Sequence, residues 1–287
     1  KASVFAKGLK SPRWLLTLPN GDILCVECYQ GKVLLLKDKD GDNVAETKIE
    51  LVTKQDLPFG LAYKDGYLYV ANTSALVRLP YTLGEEKVSG PAEELTKIPA
   101  LGYNMHWTRN IVFSPDGKKL YLSVGSETNR DVEKPPRACT MVMDPDGKNQ
   151  KVYASGIRNP VGLAFRPGTN ELWMTCVERD YMGDDLVPDY ITQVKQDQFY
   201  GWPWYYIGKN RDPRIPLKDA PKTPVTIPDV LVTSHSVPLG MTFYTGKKFP
   251  AKYQGDLFVA MRGSTNRRVM AGYQVIRIDF ENGKRNK

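Results

Sequence analysis

At 287 residues, 41% hydrophobic and 25% charged, the chain has the composition of a soluble globular protein with an ample core. No apolar run approaches the ~18 residues that a membrane-spanning helix requires, so no transmembrane segment is expected. The net charge of +8 favours an anionic ligand or partner, but the lysines are scattered, a solvated basic surface is the competing reading, and no nucleic-acid-binding signature accompanies them.

Lys1 opens the chain without a charged-then-apolar leader, which leaves open whether a secretory signal preceded it. Trp14 to Glu27 (WLLTLPNGDILCVE) then reads as an apolar strand, a tight glycine turn and a second apolar strand. The same grammar returns at Phe59 to Asn72, Asn110 to Gly125, Val161 to Cys176 and Leu239 to Met261. The turn glycines Gly21, Gly66, Gly117 and Gly168 stand 45, 51 and 51 residues apart, close to the ~40 to 50 residues of one propeller blade. Further strand-like stretches follow at Lys32 to Lys37, Ala75 to Leu79, Ala138 to Asp144 and Tyr273 to Phe280. Helical periodicity is almost absent, so the expectation is an all-β propeller of four-stranded antiparallel blades in a single domain, 1–287. The next turn glycine, Gly255, comes 87 residues after Gly168, which places an insertion at about 181–228. That insertion carries FYGWPWYYIG, an aromatic cluster that either serves function or packs the loop onto the blades.

Two local motifs along the way are given plain readings. Cys25 and Cys28 have metal-like spacing, but residues three apart on a strand face opposite ways, so zinc is not expected. Cys139 and Cys176 could pair; small buried hydrophobes are the default for all four cysteines. Asp38, Asp40, Asp42 and Asn43 resemble the start of a calcium loop, yet an EF-hand wants Gly where Asn43 stands and Glu where Ile49 stands. A turn between strands is the better account.

In a propeller the first strand of a blade lines the central channel and the second runs back, so residues before the first and after the second gather at one end. Those positions hold Arg13 and Glu27; Asn72; His106, Arg109, Ser126, Glu127 and Asn129; Arg158, Asn159, Glu178, Arg179 and Asp180; then His235, Ser236 and Arg262. The chain has only two histidines and both fall in this set. Histidine is the commonest general base near neutral pH, and His106, with Arg109, Arg158 and Asn159 expected nearby, is the stronger candidate. His235, Glu178 and Trp202 are expected along the channel or substrate path. A lone histidine satisfying loop backbone is the competing account of either.

The motifs HWTRNIVFSPDGKKLYLSVGSETN, GIRNPVGLAF, ERDYMGDDLVPDY and FYGWP, followed by SVPLGMTFY and GDLFVAMRGSTNR, resemble the sorbosone/glucose dehydrogenase family across nearly the whole chain. The resemblance implies a six-bladed propeller, exported to the periplasm or secreted, that uses pyrroloquinoline quinone (PQQ) and calcium to oxidise an aldose or sugar aldehyde. It implies that His106 is the general base, with hydride passing to the quinone. Arg158, Asn159 and Arg262, with Arg109 in the same basic ring, would face the cofactor, and Arg158 would be catalytic beside His106 by stabilising the charge that develops on reduction. The backbone carbonyls of Asp180 and Tyr181 would bind calcium, although this pair stands where Gly-Pro is better known. A cytochrome or quinone would receive the electrons. Five repeats are visible, so an incomplete last blade is expected. Two alternatives stay open: a calcium-dependent lactonase or strictosidine-synthase-type propeller using Glu27, Asn72 and Glu178, and a non-catalytic propeller that binds sugar or protein.

Overall fold

The computed structural model describes residues 3–99, 106–264, 266–281 and 284–285. The chain divides into two compact units, Lys1–Ile111 with Asp146–Lys148, and Val112–Pro145 with Asn149–Lys287. Each is built from antiparallel meanders of the propeller-blade type.

The first unit contains two of them. β1 (Pro12–Thr17), β2 (Ile23–Glu27), β3 (Lys32–Lys37) and β4 (Thr47–Val52) pair in chain order. β5 (Gly60–Lys64), β6 (Tyr67–Ala71), β7 (Ala75–Pro80) and β8 (Glu93–Lys97) repeat the arrangement. The middle strands are the apolar ones because they are covered on both faces: in β2 and β6 every residue after the first is buried. The hairpin turns close on glycines in left-handed conformation, such as Gly66 at φ +79°, which a side chain adopts only with strain.

β9 (Arg109–Phe113) carries the chain into the second unit, where β10 (Leu120–Val124), β11 (Cys139–Met143) and β12 (Lys151–Ser155) complete the third sheet. β13 (Pro160–Phe165), β14 (Leu172–Cys176) and β15 (Tyr190–Val194) begin the fourth. β16 (Gln198–Phe199) adds to the outer edge of β12 in parallel; β17 (Tyr205–Tyr206) and β18 (Asn210–Arg211) form a small hairpin; β19 (Val230–Leu231) closes the fourth sheet beside β15. β20 (Pro238–Phe243), β21 (Leu257–Met261) and β22 (Gln274–Ile278) make a three-stranded fifth sheet, and β23 (Phe280–Glu281) pairs with β24 (Lys284–Arg285).

The all-β expectation holds, but the described residues form five blades rather than six. The six came from the family resemblance; the described residues that follow β22 form only the short β23–β24 ladder. The segment set aside as an insertion also contributes β15 to a regular blade, which β19 closes just beyond it. Its loop between β14 and β15 carries no turn signal of the usual spacing, which hid the strand.

Between the third and fourth sheets lies a core of Ala154, Ile157, Leu163, Leu172, Met174 and Tyr190, and between the fourth and fifth one of Trp173, Ile191, Phe243, Leu257 and Val259. The insertion has a small core of its own in Phe199, Trp204 and Ile215. The fourth and fifth sheets are tied at backbone level. Thr175 Oγ1 donates to the Leu239 carbonyl at 2.8 Å and accepts the Gly162 N–H at 2.7 Å. All four cysteines are free and buried.

Candidate active site

In the second unit the strand register does the gathering. Pro160 pairs with Cys176 and Pro238 with Met261, so Arg158–Asn159 run beside the residues after β14, and His235–Val237 run beside those after β21. The backbone closes both ends: Val177 N–H donates to Asn159 O at 3.0 Å, and Arg262 N–H to Val237 O at 2.9 Å. Asp189, just before β15, joins the two groups by accepting the Glu178 N–H on Oδ1 and the Val237 N–H on Oδ2, each at 2.8 Å. Burial pushes the Asp189 carboxyl up to about 7, against the two N–H groups that favour its charged form.

Arg158 is buried, and every N–H of its guanidinium meets an acceptor of this chain. Nε donates to Asn129 O (3.1 Å); Nη1 to Glu178 O (2.6 Å) and Val177 O (3.3 Å); Nη2 to Asn129 Oδ1 (2.8 Å) and Asp180 Oδ2 (3.1 Å). It therefore holds three loop segments together. The Asn159 side chain differs: its Oδ1 is buried with no hydrogen-bond partner among the described residues.

Asp180 has Arg158 on one carboxylate oxygen and Asn266 Nδ2 on the other, with His235 Nδ1 3.3 Å from the latter. His235 is 3% exposed, and its Nε2 lies 3.0 Å from the Gly183 carbonyl, an acceptor, so Nε2 carries its proton there. Nδ1 faces Asp180 and lies 3.2 Å from Asn266 Nδ2. Glu178 is buried and pairs with Arg179, Oε2 to Nε at 3.0 Å. Arg179 also donates to Pro203 O at 2.6 Å and Tyr205 O at 2.7 Å. Trp202 is buried, with Nε1 donating to Asn129 O at 3.0 Å, so in this structure it anchors the insertion and does not line an open path. Arg262, by contrast, is exposed, and among the described residues its guanidinium makes no hydrogen bond or ion pair.

The expected calcium carbonyls are already engaged. Nη1 of Arg214 donates to Asp180 O at 3.2 Å and to Tyr181 O at 2.9 Å, and Asn129 Nδ2 also donates to Asp180 O. Asp212 clamps the same guanidinium from behind, Oδ1 to Nε at 2.8 Å and Oδ2 to Nη2 at 2.7 Å. Burial opposes the Asp212 charge, but Arg214 and Arg179 bring its carboxyl down to about 2. A calcium ion needs several oxygen ligands at about 2.3 to 2.6 Å, and here a guanidinium faces the two carbonyls it would use. The residues present do not fit calcium at this turn.

In the first unit His106 is buried and its carbonyl accepts from Arg109 Nη1 at 2.7 Å. The same nitrogen donates to Thr108 O at 2.9 Å, so the fully buried Arg109 braces the backbone that carries His106. Thr73 Oγ1 donates to Trp107 O at 2.7 Å, and Arg13 lies 5.3 Å from the Trp107 ring. Glu27 accepts the Lys10 N–H and Asn72 Nδ2 donates to Gln55 Oε1 at 2.9 Å. The carboxylates of Asp38, Asp40, Asp42 and Glu46 lie within 4.8 Å of one another, with Asp38 accepting the Gly41 and Asn43 N–H groups as a turn would.

Several residues of this network do not follow from the sequence reading: Asp189, Asp212, Arg214 and Asn266. The only cue was position, since Asp212 and Arg214 sit inside the aromatic insertion and Asn266 in the GSTNR motif.

Comparison with known proteins places the chain. The model of the Glucose / Sorbosone dehydrogenase family matches residues 9–285. An uncharacterised protein of Borreliella burgdorferi is 29% identical over 238 residues, covering 79% of this chain and 62% of its own length. Aldose sugar dehydrogenase YliI of Escherichia coli is 29% identical over 182 residues, 57% of this chain and 47% of that protein. The chain thus spans under two thirds of the length of both relatives. Among solved structures, the holo form of the pyranose dehydrogenase PQQ domain of Coprinopsis cinerea superposes with a TM-score of 0.76 at 20% identity, over 95% of this chain and 76% of that one, which speaks for the fold. With the family pattern running from residue 9 to residue 285, the chain belongs to the glucose/sorbosone dehydrogenase family.

Proposed function

We propose that this chain oxidises an aldose or sugar aldehyde with PQQ as the oxidant, and that it acts in the periplasm or outside the cell. The family match over nearly the whole chain carries this reading. One observation suits a tricarboxylate quinone: Arg262 offers an exposed guanidinium to a carboxylate. When bound, PQQ supplies the acceptor for the hydride that leaves the sugar carbon. His106 removes the proton of the sugar hydroxyl, and Arg109 braces the backbone that carries it. Arg158 acts as a positioning residue that keeps Asn129, Glu178 and Asp180 in register. The electrons leave to a cytochrome or a quinone. No step is assigned to calcium, because Arg214 stands against the carbonyls it would use.

The hydrolase reading needs metal-ligating Glu27, Asn72 and Glu178, and no observation favours it: Glu178 is paired with Arg179 and Glu27 with backbone. The test is an anaerobic PQQ titration followed by addition of aldoses, read as quinone absorbance and as dye reduction. Saturable PQQ binding with sugar-dependent bleaching is expected, with His106→Ala retaining binding and losing turnover. Absence of PQQ binding, or sugar turnover undiminished in His106→Ala, would overturn the reading.

A further inference from the structure

The Asp180–Tyr181 turn presents two consecutive carbonyl oxygens in the same direction, an arrangement that attracts a cation. The cation that meets them belongs to the chain. Arg214 Nη1 has two N–H groups, and each points at one of the two carbonyls, at 3.2 and 2.9 Å. The other edge of the guanidinium, Nε and Nη2, forms a two-pronged pair with Asp212 at 2.8 and 2.7 Å. Asp212 is itself fully buried and fixed from three sides. Its N–H donates to Trp204 O at 2.9 Å, it accepts the Arg214 N–H at 3.0 Å, and Arg179 Nη1 reaches it at 3.2 Å. A planar guanidinium locked edge-on by a buried carboxylate has a defined direction, unlike a free lysine ammonium.

We propose that Arg214 takes the structural place of a divalent cation at the Asp180–Tyr181 turn, so that this chain holds the turn without calcium. The like charge of the guanidinium, held by Asp212, keeps a calcium ion from the same two oxygens. The consequence reaches the neighbouring network, because Asp180 also orients Arg158, Asn266 and His235. The inference concerns the folded turn and does not rest on the sugar-oxidising reading. Its readouts are stability and ion binding, so failure of either idea is seen separately.

The acidic group Asp38, Asp40, Asp42 and Glu46 could take up calcium on its own, so the experiment uses the full chain carrying Asp40→Asn and Asp42→Asn. Calcium is titrated by calorimetry, and melting is followed in calcium and in EGTA. No saturable calcium heat and the same Tm, within about 1 °C, in both media are expected, since a ligand that binds the native state must raise its Tm. Arg214→Ala and Arg214→Lys, made in the same chain, should each lower Tm and speed exchange of the Asp180 amide, held by Asn129 Oδ1, by about tenfold or more, a free-energy loss of at least ~1.4 kcal/mol. Stoichiometric calcium binding with a Tm that falls in EGTA would overturn the proposal, even if neither Arg214 variant folds. Unchanged Tm and exchange in a folded Arg214→Ala would overturn it equally.

Discussion

Asn129 grips the backbone of Asp180 from both sides: its Oδ1 accepts the Asp180 N–H at 2.9 Å and its Nδ2 donates to the Asp180 carbonyl at 3.2 Å. The loop after β10 thereby templates the loop after β14, as a neighbouring strand would. The same Oδ1 also receives Arg158, so one amide sets both the path of the backbone and the direction of the guanidinium.

Replacing Asn129 by Ala removes these contacts and leaves a buried arginine short of an acceptor. The expected cost is about 2 to 4 kcal/mol, larger than for a surface hydrogen bond because the abandoned donors stay buried. Asn129→Asp keeps the acceptor but loses the donor and should fall between. Urea unfolding of the three proteins checks the order.

The Asp189 carboxyl, raised to about 7, gives a pH signature. Between about pH 4 and 7 the folded protein holds a proton that the unfolded chain has released, so stability falls as pH rises through that window and levels off above it. The fall from this group is at most about 4 kcal/mol. Asp189→Asn should be less stable at low pH, having lost one acceptor, and should show a flatter profile between those limits. Chemical denaturation across pH for both proteins measures the difference; equal slopes would place the Asp189 pKa near its ordinary value.

Gly162 tolerates no side chain. A Cβ there would stand 2.4 Å from the Leu239 carbonyl oxygen and 2.9 Å from Thr175 Oγ1, and the first is backbone of the adjoining sheet. Gly162→Ala is expected to destabilise by about 1 to 3 kcal/mol through overpacking. Thr175→Val, which loses the hydroxyl bridging Gly162 and Leu239, should cost about 1 to 3 kcal/mol for a different reason, the unsatisfied backbone groups. Thermal melts of the two variants test both.

Tyr181 occupies the left-handed region at φ +67° with its side chain 84% exposed. Tyr181→Pro cannot reach that φ and should cost about 3 kcal/mol or more by displacing the carbonyl from Arg214. Tyr181→Gly relieves strain but loosens the unfolded chain, and is expected within about 1 kcal/mol of the parent. A Pro variant as stable as the parent would show that the turn adopts another conformation.

Much of this was legible beforehand. Strand hairpins repeat because apolar side chains at period two, stopped by glycine turns, fit only covered antiparallel sheets, and that pattern is local. The positions flanking the hairpins foretold that Arg158, Glu178 and Asp180 would meet, since register brings together the ends of paired strands. The partners of those residues were another matter. Asp189 is 11 residues from Glu178 and 48 from Val237, and Arg214 is 34 from Asp180; no local signal marks such pairings.

The sequence by itself determined the all-β class, the blade repeat and the family, because each is written in periodicity or in ordered motifs of neighbouring residues. Only the tertiary structure decided what the polar residues do once assembled. Arg158 and Trp202, expected at a ligand, turn inward to loop carbonyls, and the calcium turn is met by Arg214. The physical reason is that a buried donor takes the nearest acceptor in space, and chain separation carries no information about that distance.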